Sequence, residues 1–183
     1  ASLTSEKALP VIISVSVGDR SGRTLTGQTL EAFYNSVCHY PLLAFGLNCS
    51  LGASELMPLV EEIGSWCRCR VSCYPNAGLP NEMGGYDQSP EDMAAQVKVM
   101  AEKGLINIAG GCCGTTPEYI KALTDTSRDI TPVPVTEKSV TRVASYTHAV
   151  KFEKKPLLIG ERINPTGKKK MKAALIEHDL DYL

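Results

Sequence analysis

Short apolar segments alternate strictly with amphipathic segments along the first two thirds of this 183-residue chain. Each apolar segment has the length of one buried strand, and the segments between them carry apolar residues at helical spacing. The apolar segments span residues 10–17, 42–49, 69–76 and 105–111. Such alternation predicts parallel strands joined by helical crossovers, which is an α/β architecture.

Local signals support the helices that this alternation predicts. Ser89 is a favourable N-cap before Pro90, and Gly104 is suited to ending the helix that follows. Thr116 is predicted to cap the next helix in the same way, directly after the fourth strand.

Four strand–helix units leave the overall architecture open. A parallel sheet normally has both faces covered, and its unpaired edges invite association. Four strands can form a small open sheet, or they can be half of an eight-stranded (β/α)8 barrel of the TIM type. The residues alone do not choose between these two arrangements.

The alternation stops after residue 128, and the composition changes. Residues 131–155 are rich in Pro, Thr and Val and are typical of a linker with short extended pieces. A new apolar strand, a polar loop and a helix start are then predicted from residue 156 onwards. We therefore expect a first domain over residues 1–130, a linker over 131–155, and the start of a second domain over 156–183.

The composition excludes several classes of function. The chain is 43% hydrophobic and 21% charged, and its net charge of −1 provides no broad attraction for nucleic acid or anionic membranes. No apolar run approaches the roughly 20 residues that cross a bilayer. Seven cysteines, an odd number, without a secretory signal favour reduced thiols and a cytoplasmic location.

Three cysteines lie at the ends of predicted strands. Cys49 ends the second strand, and the adjacent Cys112 and Cys113 follow the fourth. Parallel strands bring their carboxyl ends to one edge of the sheet, thiolates favour zinc, and three of them leave one tetrahedral position open. The alternative, that these are small buried apolar residues, is equally compatible with the spacing. The same buried role is favoured for the other four cysteines, which are Cys38, Cys67, Cys69 and Cys73.

Longer motifs surround these cysteines, and they carry a resemblance to a known family. The segments "DRSGRTLTGQTLEAFYNS", "FGLNCSLGASEL", "YPNAGLPN" and "GGCCGTTPEYI" are similar to the homocysteine S-methyltransferase family. The tail "IGERINPTG" resembles the first strand of the pterin-binding barrel that follows the homocysteine barrel in cobalamin-dependent members of the family. Together these motifs cover nearly the whole chain.

This resemblance implies a fold, a reaction and a set of cofactors. Residues 1–130 would be the last four β/α units of a (β/α)8 barrel, and residues 156–183 the start of the pterin-binding domain. Cys49, Cys112 and Cys113 would hold zinc, and the homocysteine thiol would take the open position. Methionine would form with a methyl group from methylcobalamin, bound by a module absent from this chain, and methyltetrahydrofolate would supply new methyl groups.

Further residues are candidates for contacts with the substrate. Asn76, at the end of the third strand, is assigned to zinc or to homocysteine, with loop capping an equal alternative. Asp19 is a candidate for binding the substrate ammonium, although capping of its own loop is favoured. The backbone at Gly110 and Gly111 is a candidate site for the substrate carboxylate.

The tail contributes three candidate pterin-binding residues, which are Glu161, Arg162 and Asn164. The amide of Asn164 offers both a donor and an acceptor to the pterin ring nitrogens.

Two other functions stay open at this stage. One is a homocysteine methyltransferase that uses betaine or S-methylmethionine as donor, which the tail disfavours. The other is a half-barrel that is inactive alone and needs its missing front half and a cobalamin module, in the same or another chain. We expect the isolated chain to bind zinc without turnover.

Overall fold

A computed structural model describes residues 9–152, 156–161 and 163–182 of the protein. The elements are β1 (Val11–Val15), α1 (Leu30–Val37), β2 (Leu42–Gly52), α2 (Ala53–Trp66), β3 (Arg70–Asn76), α3 (Pro90–Glu102), β4 (Ile108–Ala109), α4 (Pro117–Ser127), β5 (Arg142–Ala144), β6 (Ala149–Lys151) and α5 (Lys169–Glu177). They form two compact units, the first ending at Lys151 and the second beginning at Phe152. Within the described ranges, no helix is long and apolar enough to cross a membrane.

The first four strands form one parallel sheet in the order β1-β2-β3-β4. This order confirms the α/β architecture that the alternation of segments predicts. Strand β4 is shorter than the predicted 105–111, although Asn107 N–H donates to Val71 O (2.8 Å) and Gly110 N–H donates to Cys73 O (3.2 Å) on either side of it. Beyond Gly110 the chain leaves the sheet to form the loop that carries the paired cysteines.

An aromatic cluster lies at the centre of the core. Tyr34 of α1 packs against Phe45 of β2 and Trp66 of α2, with ring centroids 5.1 Å apart in both pairs. All three side chains are almost completely buried. Packed aromatic pairs contribute about 0.5–1.5 kcal/mol each beyond the burial of their area. The cluster therefore anchors α1 and α2 against the sheet and fixes the strand whose end carries Cys49.

The helix-start and helix-stop signals have different outcomes. The hydroxyl of Ser89 accepts the Asp92 N–H (3.1 Å), so this N-cap is confirmed, and Gly104 follows α3 with a φ of 69°. Thr116 occupies the N-cap position of α4, but its hydroxyl donates to the Glu118 carboxylate instead of accepting a backbone N–H. The predicted position of this cap is therefore confirmed, although the neighbouring carboxylate competes with the backbone for the Thr116 hydroxyl.

Part of the predicted linker is folded. Strands β5 and β6 form an antiparallel hairpin that contacts α1 within the first unit. Arg142 Nε lies 3.0 Å from the Glu31 carboxylate, and Thr29 N–H donates to Thr147 O (3.2 Å). Residues 142–151 thus pack as part of the first unit, beyond the domain end expected at residue 130.

The second unit lacks the strand predicted at its start. Residues 156–161 are described and form no strand, and the side chain of Leu158 is fully exposed. A strand needs a neighbour to satisfy its backbone N–H and C=O groups, and the described part of this unit contains no other strand. The predicted helix is present as α5, which ends at His178 in the left-handed conformation.

Candidate metal centre

The end of β2 presents Cys49 from an irregular stretch of backbone. Asn48 pairs with Tyr74 and Gly52 pairs with Asn76, so three residues of β2 lie opposite one residue of β3. Cys49 and Ser50 within this bulge have φ angles of 62° and 65°. Residues other than glycine rarely adopt this conformation, which costs about 1–3 kcal/mol and is concentrated at functional sites. The bulge therefore marks this strand end as a candidate site.

The loop after β4 holds Cys112 and Cys113 against the end of β3. Cys112 N–H donates to Pro75 O (2.8 Å), and Ala77 N–H donates to Cys113 O (2.9 Å). Cys113 N–H donates to Oδ1 of the buried Asn76 (3.1 Å). Three hydrogen bonds thus fix the backbone of the cysteine pair to the strand that lies between β2 and β4.

The glycines of this loop act mainly through the space that they leave. Only Gly114 has a positive φ (79°), and a Cβ there would lie 2.5 Å from the Tyr86 ring. Gly110 and Gly111 have no positive φ, and a Cβ on Gly110 would lie 2.7 Å from the Tyr74 ring. Close packing, and not an unusual backbone angle, therefore explains the glycines at positions 110 and 111.

The three sulfur atoms lie together. Cys49 Sγ is 3.4 Å from Cys113 Sγ, and Cys112 Sγ is 4.0 Å from Cys113 Sγ. All three lie within 4.8 Å of one another. Zinc–sulfur bonds of about 2.3 Å in a tetrahedron place sulfurs about 3.8 Å apart. The thiols are therefore spaced so that one ion can bind all three with small side-chain adjustments.

Hydrogen bonds lower the pKa of one of these thiols and raise the pKa of another. The Ser50 backbone N–H is the main cause that lowers the pKa of Cys49 below its usual 9.0, helped by contacts with Cys113, Cys112 and Asn76. The contact with Cys49 is the main cause that raises the pKa of Cys113. Cys49 is therefore the first of this pair to become a thiolate, the form that binds metal.

Three contributors to this site were missed by the sequence reasoning. Ser50 acts through its backbone N–H, Pro75 through its carbonyl, and Tyr86 through the ring that packs over Gly114. The first two act through main-chain groups, which every residue type possesses, so no sequence signal identifies them. The sequence does contain a signal for Tyr86, because it is an aromatic residue close to paired glycines in the loop after β3.

Asn76 supports the cysteine loop through its buried side chain. Its side chain is 1% exposed, and its amide oxygen accepts the Cys113 N–H. This contact matches the loop-capping alternative. A direct role toward zinc or homocysteine stays a prediction.

The other candidate substrate residues have local partners. The Asp19 carboxylate accepts the Ser21 N–H (2.7 Å), and hydrogen bonding from Ser21 lowers the pKa of Asp19. Gly110 N–H is engaged with Cys73 O, which removes this amide as a ready donor to a carboxylate. Their substrate roles, and that of Gly111, stay predictions.

The candidate pterin residues lie in the second unit. Glu161 accepts a hydrogen bond from the Asn164 amide (2.7 Å), and Asn164 in turn accepts the Thr166 N–H (2.9 Å). Arg162 lies outside the described residues. The contacts seen are those of a local turn, and pterin binding stays a prediction.

The parallel sheet and its helical crossovers make this an α/β protein. Three thiols at the carboxyl ends of its strands form a candidate thiolate metal centre. A family model described as homocysteine S-methyltransferase matches residues 1–127, a stretch that includes β1 to β4 and all three cysteines. The chain belongs to the homocysteine S-methyltransferase family.

Proposed function

We propose that this chain takes part in zinc-dependent methyl transfer to homocysteine, giving methionine, as a segment of a cobalamin-dependent methionine synthase. The observation that carries the proposal is the grouping of Cys49, Cys112 and Cys113 within 4.8 Å, in a family whose substrate is itself a thiol.

The three cysteines are the groups that would hold the ion. Bound zinc supplies a Lewis acid that lowers the pKa of a coordinated thiol, so that homocysteine reacts as a thiolate at neutral pH. Cys113 is exposed and the other two are half-buried, so a small substrate can approach the sulfurs. Asn76 keeps Cys113 in place during this approach through the Cys113 N–H contact. The homocysteine sulfur then bonds to the methyl carbon, the donor's leaving atom keeps the bonding electrons, and the thiol proton passes to solvent.

The sheet is proposed to be the last four β/α units of a (β/α)8 barrel. Its parallel strands follow chain order, and its cysteines lie at the carboxyl edge, where barrel enzymes build their active sites. Strands β1 and β4 are the two edges of this sheet. We propose that β1 and β4 each pair with a further strand of the same or another chain.

The choice of methyl donor rests on the tail. Its resemblance to a pterin-binding strand supports methylcobalamin as donor and methyltetrahydrofolate as the source of methyl groups, with residues 156–183 opening the pterin domain. The seven free cysteines support a reducing, cytoplasmic location.

Proton counting during homocysteine binding tests the zinc-thiolate chemistry. The zinc-loaded chain is titrated with homocysteine at pH 7 by calorimetry, in two buffers of different ionisation enthalpy. An ordinary thiol is mostly protonated at this pH, so we expect release of close to one proton per bound homocysteine. Methionine is the matched control, because it has no ionisable thiol and should release none. Homocysteine binding without proton release would contradict the proposal.

Donor competition tests the cobalamin assignment separately. Methionine formation is measured with homocysteine and either methylcobalamin, S-methylmethionine or betaine, with a front-half barrel fragment of a family member added. We expect product with methylcobalamin only, and none without the added fragment. Product from betaine or S-methylmethionine would exclude the cobalamin branch while leaving the zinc centre in place.

A further inference from the structure

A second pair of thiols lies at the other end of β3, where the strand begins. Cys67 follows the end of α2, and Cys69 directly precedes β3. Their Sγ atoms are 3.5 Å apart across a bend at Arg68. Strand β3 has seven residues, so roughly 20 Å separates this pair from the cysteine loop at the other end of the strand.

The surroundings of Cys67 favour its ionised form. The contact with Cys69 is the main cause that lowers the pKa of Cys67 to about 7, and the Tyr34 hydroxyl and Lys138 ammonium act in the same direction. Lys138 is held close by a hydrogen bond from its ammonium to Cys67 O (3.0 Å). The same sulfur–sulfur contact raises the pKa of Cys69. At neutral pH, Cys67 is therefore partly ionised, whereas Cys69 keeps its proton.

Solvent reaches this thiol pair through Cys69. Cys67 is 1% exposed, whereas Cys69 is half-buried and lines an open cleft. Cys38, Tyr40 and Arg68 line the same cleft. The exposed Arg68 places positive charge beside the accessible sulfur, which suits an anionic peptide thiol or disulfide.

We propose that Cys67 and Cys69 form a redox-active dithiol that reacts with low-molecular-weight disulfides of the glutathione type. This site is separate from the candidate metal centre and from methyl transfer. Cys69 is the point of entry, and Cys67 is the resolving thiol.

The reaction proceeds by two thiol–disulfide exchanges. The Cys69 proton passes to the Cys67 thiolate, 3.5 Å away, as the Cys69 sulfur attacks the glutathione disulfide. This forms a mixed disulfide and releases one glutathione thiolate, which takes a proton from solvent. Cys67 then loses its proton to solvent and attacks the Cys69 sulfur, which releases the second glutathione thiolate. The two cysteine thiols are oxidised to one disulfide, and one glutathione disulfide is reduced to two glutathione thiols.

The position of Arg68 makes the product easy to identify. The reduced, zinc-loaded full chain, in which the ion protects Cys49, Cys112 and Cys113, is incubated with glutathione disulfide at pH 7. Remaining thiols are alkylated, and the chain is digested with trypsin without reductant. Cleavage after Arg68 and Arg70 separates Cys69 from the peptide 24–68, which carries Cys67 together with Cys38 and Cys49. A disulfide keeps the two peptides together in the mass spectrum, and fragmentation of the linked pair identifies which cysteine is joined to Cys69. We expect this linked pair to be the main oxidised product.

Matched variants separate the proposal from its alternatives. Cys38→Ser changes the third thiol near the cleft and should leave the linked product unchanged, whereas Cys69→Ser should abolish it. Lys138→Gln keeps a hydrogen-bond donor but removes the charge, and should slow formation about two- to threefold at pH 7 and little at pH 9, where the thiols are more ionised anyway. A glutathione adduct that persists on Cys69, or a Cys38–Cys69 product in place of the linked pair, would overturn the proposal.

Discussion

Asn76 is the residue that joins the third strand to the cysteine loop at the candidate metal centre. Its amide oxygen accepts the Cys113 N–H, and its side chain is almost completely buried. Removing this side chain leaves the partly buried Cys113 N–H without its acceptor, at a cost of about 1–3 kcal/mol. Residues that orient metal ligands typically change metal affinity 10–100-fold when they are removed. Asn76 therefore connects stability and metal binding at a single position.

We expect Asn76→Ala to lower zinc affinity by about 10–100-fold and the free energy of unfolding by about 1–3 kcal/mol. Competition with a zinc chelator and denaturant unfolding measure the two effects. Asn81→Ala is the control, because Asn81 is exposed and its amide contacts Asp87 instead. Unchanged zinc affinity in Asn76→Ala would contradict the supporting role of this residue.

Cys73 gives a prediction of pH dependence away from the metal centre. Burial raises the pKa of Cys73 from 9.0 to about 12 in the folded chain. Between these values the unfolded chain loses the thiol proton and the folded chain keeps it. The Cys73 contribution to stability is therefore complete below about pH 9 and is lost as the pH rises toward 12, at up to about 1.4 kcal/mol per pH unit.

Unfolding with denaturant between pH 8 and pH 11, under reducing conditions, tests this prediction. Cys73→Ala should begin less stable, because it leaves a small cavity, and its stability should fall less steeply with pH. Parallel curves for the two proteins would show that Cys73 does not hold its proton in the folded state.

The residue types at the centre were readable from the sequence, but their contacts were not. Cys49, Cys112 and Cys113 stand out because cysteines at strand ends meet at one edge of a parallel sheet. The pKa of Cys49 instead depends on the Ser50 backbone N–H, within a bulge that only the strand register reveals. Main-chain groups carry no residue-specific signal, so this part of the site required the structure.

At the scale of single elements, the loop after β4 depends on the one glycine with a left-handed backbone. Gly114 has a φ of 79°, and the Tyr86 ring occupies the space that a side chain would need. Gly27 has a similar φ of 85° but nothing within 4 Å of an added Cβ. Substitutions at Gly27 and Gly114 therefore distinguish the cost of backbone strain from the cost of steric overlap.

Gly27→Ala should cost about 1–2 kcal/mol through backbone strain alone and should leave zinc binding unchanged. Gly114→Ala should cost about 1–3 kcal/mol more, because Tyr86 must move, and should weaken zinc binding by displacing Cys113. Thermal unfolding and zinc competition of both variants provide the comparison. Equal costs in the two variants would show that Tyr86 does not pack over Gly114 in solution.

Elements were predicted best where periodicity and burial agree. Helix α3 has its predicted Ser89 cap, and β3 lies within one residue of its predicted range. Strand β2 begins where predicted but ends three residues later, at Gly52. The hairpin β5–β6 lies in the segment predicted to be a linker with short extended pieces, and its pairing was not predicted because short exposed strands have no long apolar run. The apolar run at 156–160 was assigned to a strand, but a strand also needs a pairing partner, which local sequence does not show.

At the scale of the whole molecule, an ion pair between Arg142 and Glu31 holds the hairpin to the rest of the first unit. The Arg142 and Glu31 side chains are 6% and 16% exposed, and Arg142 also donates to Trp66 O (3.3 Å). Removing Arg142 leaves the Glu31 carboxylate with only the more exposed Lys151, whose Nζ lies 3.6 Å away, and losing the buried partner is destabilising. The hairpin is therefore expected to contribute to the stability of the unit that carries the cysteines.

Arg142→Ala should lower the free energy of unfolding by about 3 kcal/mol. Arg128→Ala is the matched control, because its pair with Asp125 is largely exposed and should contribute no more than about 1 kcal/mol. Denaturant unfolding of both variants measures the difference. Similar small losses in the two would show that residues 142–151 act only as a linker.

Metal stoichiometry tests the central claim most directly. The purified chain is equilibrated with zinc, freed of excess metal and analysed beside Cys49→Ala, Cys112→Ala and Cys38→Ala. We expect one zinc per chain in the unaltered protein and in Cys38→Ala, and loss of that zinc in the other two variants. Full zinc retention in Cys49→Ala would contradict a shared centre built from two separate strand ends.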